Sequence, residues 1–169
     1  PFEFDTASLK VKGFVGTIDI QNHDTKGMII TVTGKPKEIK RVKIEQHGGA
    51  LVVRYERGSR LFSRNNRSWR NKPRVDLKVP HGTPMNIGHM AGILSVEDTG
   101  ADFKLELITG RARIGKVADA TISLPGSGDI QIAEVAGRLD ANISGSGDVT
   151  VGSVADTVLD IGGSGDVSI

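Results

Sequence analysis

Four residues, Gly126-Ser127-Gly128-Asp129, return as Gly145-Ser146-Gly147-Asp148 and again as Gly163-Ser164-Gly165-Asp166. Taking the second glycine of each copy as a mark, Gly128, Gly147 and Gly165 recur at a nearly constant interval, and stepping back by the same interval reaches Gly110 and then Gly92. The residues after each mark keep phase: Leu94 and Val96, Ala112 and Ile114, Ile130 and Ile132, Val149 and Val151. That alternation has the period of a strand, not of a helix. A second alternating run precedes the Gly-rich stretches, as in Phe103, Leu105, Leu107 and in Leu139, Ala141, Ile143. A unit this small cannot bury its own apolar face and must cover it with its neighbours. The expectation is therefore an all-β single domain, a parallel β-helix (solenoid) with coils of ~18 residues stacked about 4.8 Å apart. Gly126, Gly128, Gly145, Gly147, Gly163 and Gly165 are assigned to its corners, where a tight turn calls for positive φ and close backbone approach.

The N-terminal half alternates but repeats poorly. Ser8 to Lys12, Gly16 to Gln21, Met28 to Thr33, Val42 to Glu45, Leu51 to Tyr55 and Val75 to Pro80 read as strands, with His47-Gly48-Gly49 as a tight corner or hairpin. Residues 1–55 are expected to form degenerate N-terminal coils and 75–169 the regular ones. Between them, residues 56–74 interrupt the pattern with Arg57, Arg60, Arg64, Arg67, Arg70 and Lys72, and no acid after Glu56. A loop of this length in a compact domain is either a solvated surface segment or a functional one. In the functional reading the cations hold an anionic polysaccharide or another cell-surface component, and Trp69 adds a stacking contact.

Charge follows position. Residues 117–169 hold eight carboxylates against Arg138 alone, a balance of −7, so the rest of the chain must carry +9 to reach the net +2. The chain has no cysteine, which excludes disulfides and thiolate chemistry. No run approaches the roughly 20 apolar residues of a membrane-spanning helix.

The in-phase Gly-Ser-Gly-Asp motifs, each followed by alternating Val or Ile, together with Leu9-Lys10-Val11, Leu51-Val52-Val53 and Val75 to Pro80, resemble the bacterial autotransporter adhesin head domains of the GIN type. The resemblance spans most of the chain. It implies a right-handed β-helix, export to the periplasm or cell surface after removal of a signal that the sequence does not contain, and a role in adhesion. It brings no catalytic residues.

Other chemistry is weighed against that reading. Asp129, Asp148 and Asp166 recur at one corner, so their carboxylates should form a ladder. Either they and Ser127, Ser146 and Ser164 accept backbone N–H groups at the turns, or the ladder binds Ca²⁺; no other cofactor is expected. Catalysis is disfavoured. His23, His47, His81 and His89 share no metal-protease spacing, no Gly-x-Ser-x-Gly elbow exists, and Gly145-Ser146-Gly147 is a corner with no histidine placed to activate its serine. A structural or regulatory envelope protein without external ligand, and a carbohydrate-active enzyme, are the alternatives. Export disfavours nucleic acid as a partner. A last coil left uncovered at Ile169 would expose unpaired N–H and C=O groups, so self-association through that end is expected.

Overall fold

A computed structural model of the chain describes residues 2–56 and 71–169. The first seven strands are β1 (Phe2–Phe4), β2 (Ser8–Lys12), β3 (Val15–His23), β4 (Met28–Thr33), β5 (Val42–His47), β6 (Ala50–Tyr55) and β7 (Arg74–Pro80), with one helical turn, α1 (Pro36–Ile39), before β5. Next come β8 (Met85–Val96), β9 (Phe103–Val117), β10 (Ala120–Leu124), β11 (Ser127–Ile143), β12 (Val149–Val151), β13 (Val154–Ile161) and β14 (Val167–Ser168).

These strands form one mixed sheet of 14 strands, not the regular parallel β-helix that the repeat predicts. Three pairings overturn it. β1 with β4, β4 with β7, and β5 with β6 all run antiparallel. The path of neighbours runs from β1 to β14 without closing, with β2, β5, β6 and β13 branching from it. Nor are the strands short segments of uniform length, since β8, β9 and β11 run for 12, 15 and 17 residues. The physical reason is that alternation fixes which face a side chain takes and leaves strand direction open. With short connections such as Gly48-Gly49, a hairpin brings the chain straight back on itself.

The long strands serve two sets of neighbours. The first half of β8 pairs with β2 and its second half with β3. Between these halves the ladder with β9 shifts register from Ile87 to Met90, and His89 takes φ 52. The C-terminal pairings are parallel, and each partner stands one repeat interval further along the chain: Ala112 lies beside Ile130, Ile130 beside Val149, and Val149 beside Val167. Inward-facing residues from both halves join one buried apolar cluster running from Leu9 to Val151. Burial of that aliphatic surface is the main force holding the sheet in shape.

Candidate functional site

The recurrent glycines form two lines of close backbone contact. A Cβ built on Gly92 would lie 1.9 Å from the carbonyl oxygen of Gly16, and one on Gly110 would lie 1.9 Å from that of Gly92. The line continues through Gly128, Gly147 and Gly165, each meeting the carbonyl oxygen of the glycine before it at 2.8, 1.9 and 2.1 Å. Beside it, a Cβ on Gly126, Gly145 or Gly163 would meet the carbonyl oxygen of Ile108, Gly126 or Gly145 at 1.8 to 2.0 Å. Gly16, Gly92 and Gly110 have positive φ, whereas the six glycines of the Gly-Ser-Gly-Asp motifs do not. In those motifs glycine is required by the neighbouring backbone and not by left-handed geometry.

The three motif aspartates take different partners. Asp129 Oδ2 lies 3.9 Å from Nε of Arg111, both exposed. Asp148 Oδ1 accepts the backbone N–H of Asp166, its counterpart in the next motif, at 3.3 Å. Among the described residues, no three His, Asp or Glu side chains converge in a way that could hold a metal ion. The histidines are dispersed as well: His81 lies 3.5 Å from Asp24, and His89 lies 3.4 Å from Glu106.

Of the seven residues assigned to the basic site, Arg57, Arg60, Arg64, Arg67, Trp69 and Arg70 lie outside the described residues. Lys72 is described and is engaged. Its Nζ stands 3.9 Å from Glu38 Oε2 and 5.9 Å from the centroid of the Tyr55 ring. The Tyr55 hydroxyl donates to Glu38, and Arg41 donates to that hydroxyl at 3.3 Å. Burial, followed by the hydrogen bond to the Glu38 carboxylate, pushes the Tyr55 phenol above its ordinary pKa. Its neighbour Arg41 is raised too, chiefly through its hydrogen bond to Tyr55. Lys72 therefore fastens the end of the insertion to the body of the domain. Beyond this anchor, Lys35, Pro36, Lys37, Glu38 and Asn71 line an open recess of about 460 Å³.

A family model described as "Putative auto-transporter adhesin, head GIN domain" matches residues 9–169. The chain belongs to this family. No curated protein matches it. Among solved structures, one titled a "putative adhesin" from Bacteroides fragilis is 12% identical, with 99% of this chain and 94% of that one covered at a TM-score of 0.45. A "putative cell adhesion protein" from Clostridium sporogenes is 14% identical, with 98% and 92% covered at a TM-score of 0.43. A "Putative lipid binding protein" from Parabacteroides distasonis is 16% identical, with 97% and 93% covered at a TM-score of 0.31. No helix among the described residues of the GIN domain is long and apolar enough to cross a membrane.

Two aspartates of the GIN domain outside the Gly-Ser-Gly-Asp motifs, Asp98 after β8 and Asp119 between β9 and β10, each hold a backbone amide of a following long strand. Asp98 Oδ1 accepts the backbone N–H of Lys116 at 2.8 Å, and Asp119 Oδ1 accepts that of Arg138 at 2.7 Å. Each carboxylate sits against a glycine: a Cβ on Gly115 would come within 2.2 Å of Asp98 Oδ1, and one on Gly137 within 2.1 Å of Asp119 Oδ1. The signal is present in the sequence as an aspartate followed about one repeat later by a lone glycine, Asp98 by Gly115 and Asp119 by Gly137. Asp119→Ala leaves an amide without its acceptor and should cost about 1–2 kcal/mol, measured by urea unfolding, with Asp119→Asn recovering much of the loss. An Ala variant as stable as the parent would show that water satisfies the amide equally well.

Proposed function

We propose that this GIN domain is an exported, non-catalytic binding module of the cell surface or envelope, and that it holds an anionic polysaccharide through its basic stretch, residues 56–74. The recess lined by Lys35, Lys37 and Asn71 is the observation that carries the reading. It adjoins the residue where the insertion re-enters the described chain. Lys35 and Lys37 are exposed and form no ion pair with a described carboxylate, so their charge is available to a ligand. Glu38, the one acid among the described residues lining the recess, is already matched by Lys72 and Arg41. Arg57, Arg60, Arg64, Arg67 and Arg70, which lie outside the described residues, add five further cations to the stretch that ends at the recess residue Asn71. Guanidinium groups suit the planar carboxylates and sulfates of acidic glycans, and Trp69 supplies a face on which a sugar ring can stack. The family description, an adhesin head, agrees with a surface that binds.

Immobilised heparin tests this directly. The parent domain should be retained at low salt and elute as salt rises, because the contacts are screened ion pairs. Replacing Arg64, Arg67 and Arg70 with alanine should abolish retention, and Lys35→Glu with Lys37→Glu should shift elution to lower salt. Unchanged retention of the triple variant would remove the proposal, as would equal binding to a neutral dextran.

A further inference from the structure

Among the described residues, the sheet has four free edges. β5 and β1 each pair on one side only, and so do β13 and β14. Six large apolar side chains of the described residues are exposed, and all but Ile93 belong to these edges or adjoin them: Phe2 at 63%, Val158 at 40%, Leu159 at 41%, Ile161 at 45% and Ile169 at 59%. Unpaired N–H and C=O groups beside exposed apolar side chains form a template for a further strand.

The pairings show which strand fits. One inward row crosses the whole sheet, passing from Ile44 on β5 through Val53, Val11, Ile87, Leu105, Ile122 and Ala141 to Leu159 on β13. Every member is apolar. Leu159 is uncovered and Ile44 half-buried because the row stops at each. β13 runs parallel to the body of the sheet, whereas β5, coming off a hairpin, runs the opposite way. Shifting one copy along the row therefore sets its β5 antiparallel to β13 of the copy before.

With Ile44 opposite Leu159, the antiparallel rule fixes every other pair. Val42 falls opposite Ile161, Lys43 opposite Asp160, Gln46 opposite Thr157 and His47 opposite Asp156, while Glu45 meets Val158. Apolar meets apolar, base meets acid, and no like charges stand directly opposed. The ends differ in charge as well. Residues 40–43, leading into β5 and apart from the recess lysines, hold three cations and no carboxylate, whereas residues 139–169 hold five aspartates and no cation. A second row has the same form: Phe2 is followed across the sheet by Ile30, Leu77, Ile20, Val96, Ile114, Ile132 and Val151. One step past the pairing of Thr150 with Ser168 brings the exposed Ile169 to its far end.

We infer that copies of this chain associate head to tail, β13 of one pairing antiparallel with β5 of the next in the register that sets Ile44 against Leu159. The interface is heterologous, joining two different surfaces, so it leaves an edge open at each end for further copies. This inference stands independently of glycan binding.

The absence of cysteine makes the test clean. Lys43→Cys and Asp160→Cys are prepared separately, mixed and oxidised, and sedimentation of the unmodified chain is followed from micromolar to millimolar concentration. The expected results are a sedimentation coefficient that rises with concentration and falls back in high salt, a disulfide between the two variants, and little disulfide within either alone. Leu159→Lys replaces a side chain that is already exposed. It should keep the parent's circular dichroism and remain monomeric. A monomer at every concentration would overturn the inference. So would efficient linkage of Asp160→Cys to itself, which signifies a symmetric pairing of like edges. Heparin retention in Leu159→Lys should match the parent, which separates a failure here from a failure of the binding site.

Discussion

Gly147→Ala should cost about 3 kcal/mol or more, while Gly162→Ala, next to the following motif, should be nearly neutral. A Cβ at Gly147 would lie 1.9 Å from the oxygen and 2.7 Å from the nitrogen of Gly128, and 2.8 Å from a methyl of Leu124. The leucine could turn aside, but the two backbone atoms belong to the neighbouring strand and cannot move without parting the sheet. Alanine ordinarily gains about 0.4–1 kcal/mol over glycine by restricting the unfolded chain, a gain too small to offset the clash. Gly162 supplies the control, since a Cβ there meets nothing within 4 Å and its φ is not positive. Urea unfolding of the two variants against the parent measures the difference directly. Equal midpoints would mean that the strands separate easily at this line, and that the glycines are present for another reason.

The spacing of the motifs carries accurate information about neighbours. The repeat interval becomes a pairing of Gly110 with Gly128 or of Ile130 with Val149, because strands laid side by side repeat whatever fits best against a copy of itself. Alternation likewise places Leu105, Ile122 and Ala141 in the interior. Strand direction is not encoded that way. β4 reads as one more alternating run, yet it lies antiparallel between β1 and β7. The role of the motif glycines is also hidden, since a residue needed for lack of a Cβ and one needed for positive φ look identical in sequence. Of the candidate site, Lys72 illustrates the limit. A lysine in a basic run suggests a ligand contact, but its partners Glu38 and Tyr55 lie far off in the chain and divert it to an internal bond.

Phe14→Ala should be the most damaging single change in the N-terminal half, costing about 3–5 kcal/mol. Phe14 is fully buried in a core otherwise built mainly of aliphatic side chains, so the space it leaves has few large neighbours able to fill it. Its ring also meets that of Tyr55 edge-on, with centroids 6.0 Å apart and planes at 65°. Tyr55 in turn carries Glu38, Arg41 and Lys72, so the loss should spread from the core to the anchor of the basic insertion. The chain's single tyrosine reports on this directly. Burial is the largest cause of its raised pKa, so opening the cavity should move its ultraviolet titration down toward the ordinary value near 10. The sign for stability follows by linkage. A phenol whose pKa is higher in the folded state contributes fully below about pH 10 and loses that contribution as pH climbs through the folded value. The parent should therefore destabilise in that alkaline range more steeply than Phe14→Ala. Phe14→Leu, which keeps most of the volume, should fall between them in stability. A tyrosine titration unchanged in Phe14→Ala would mean that Glu38 and Arg41 hold Tyr55 in place without support from the core.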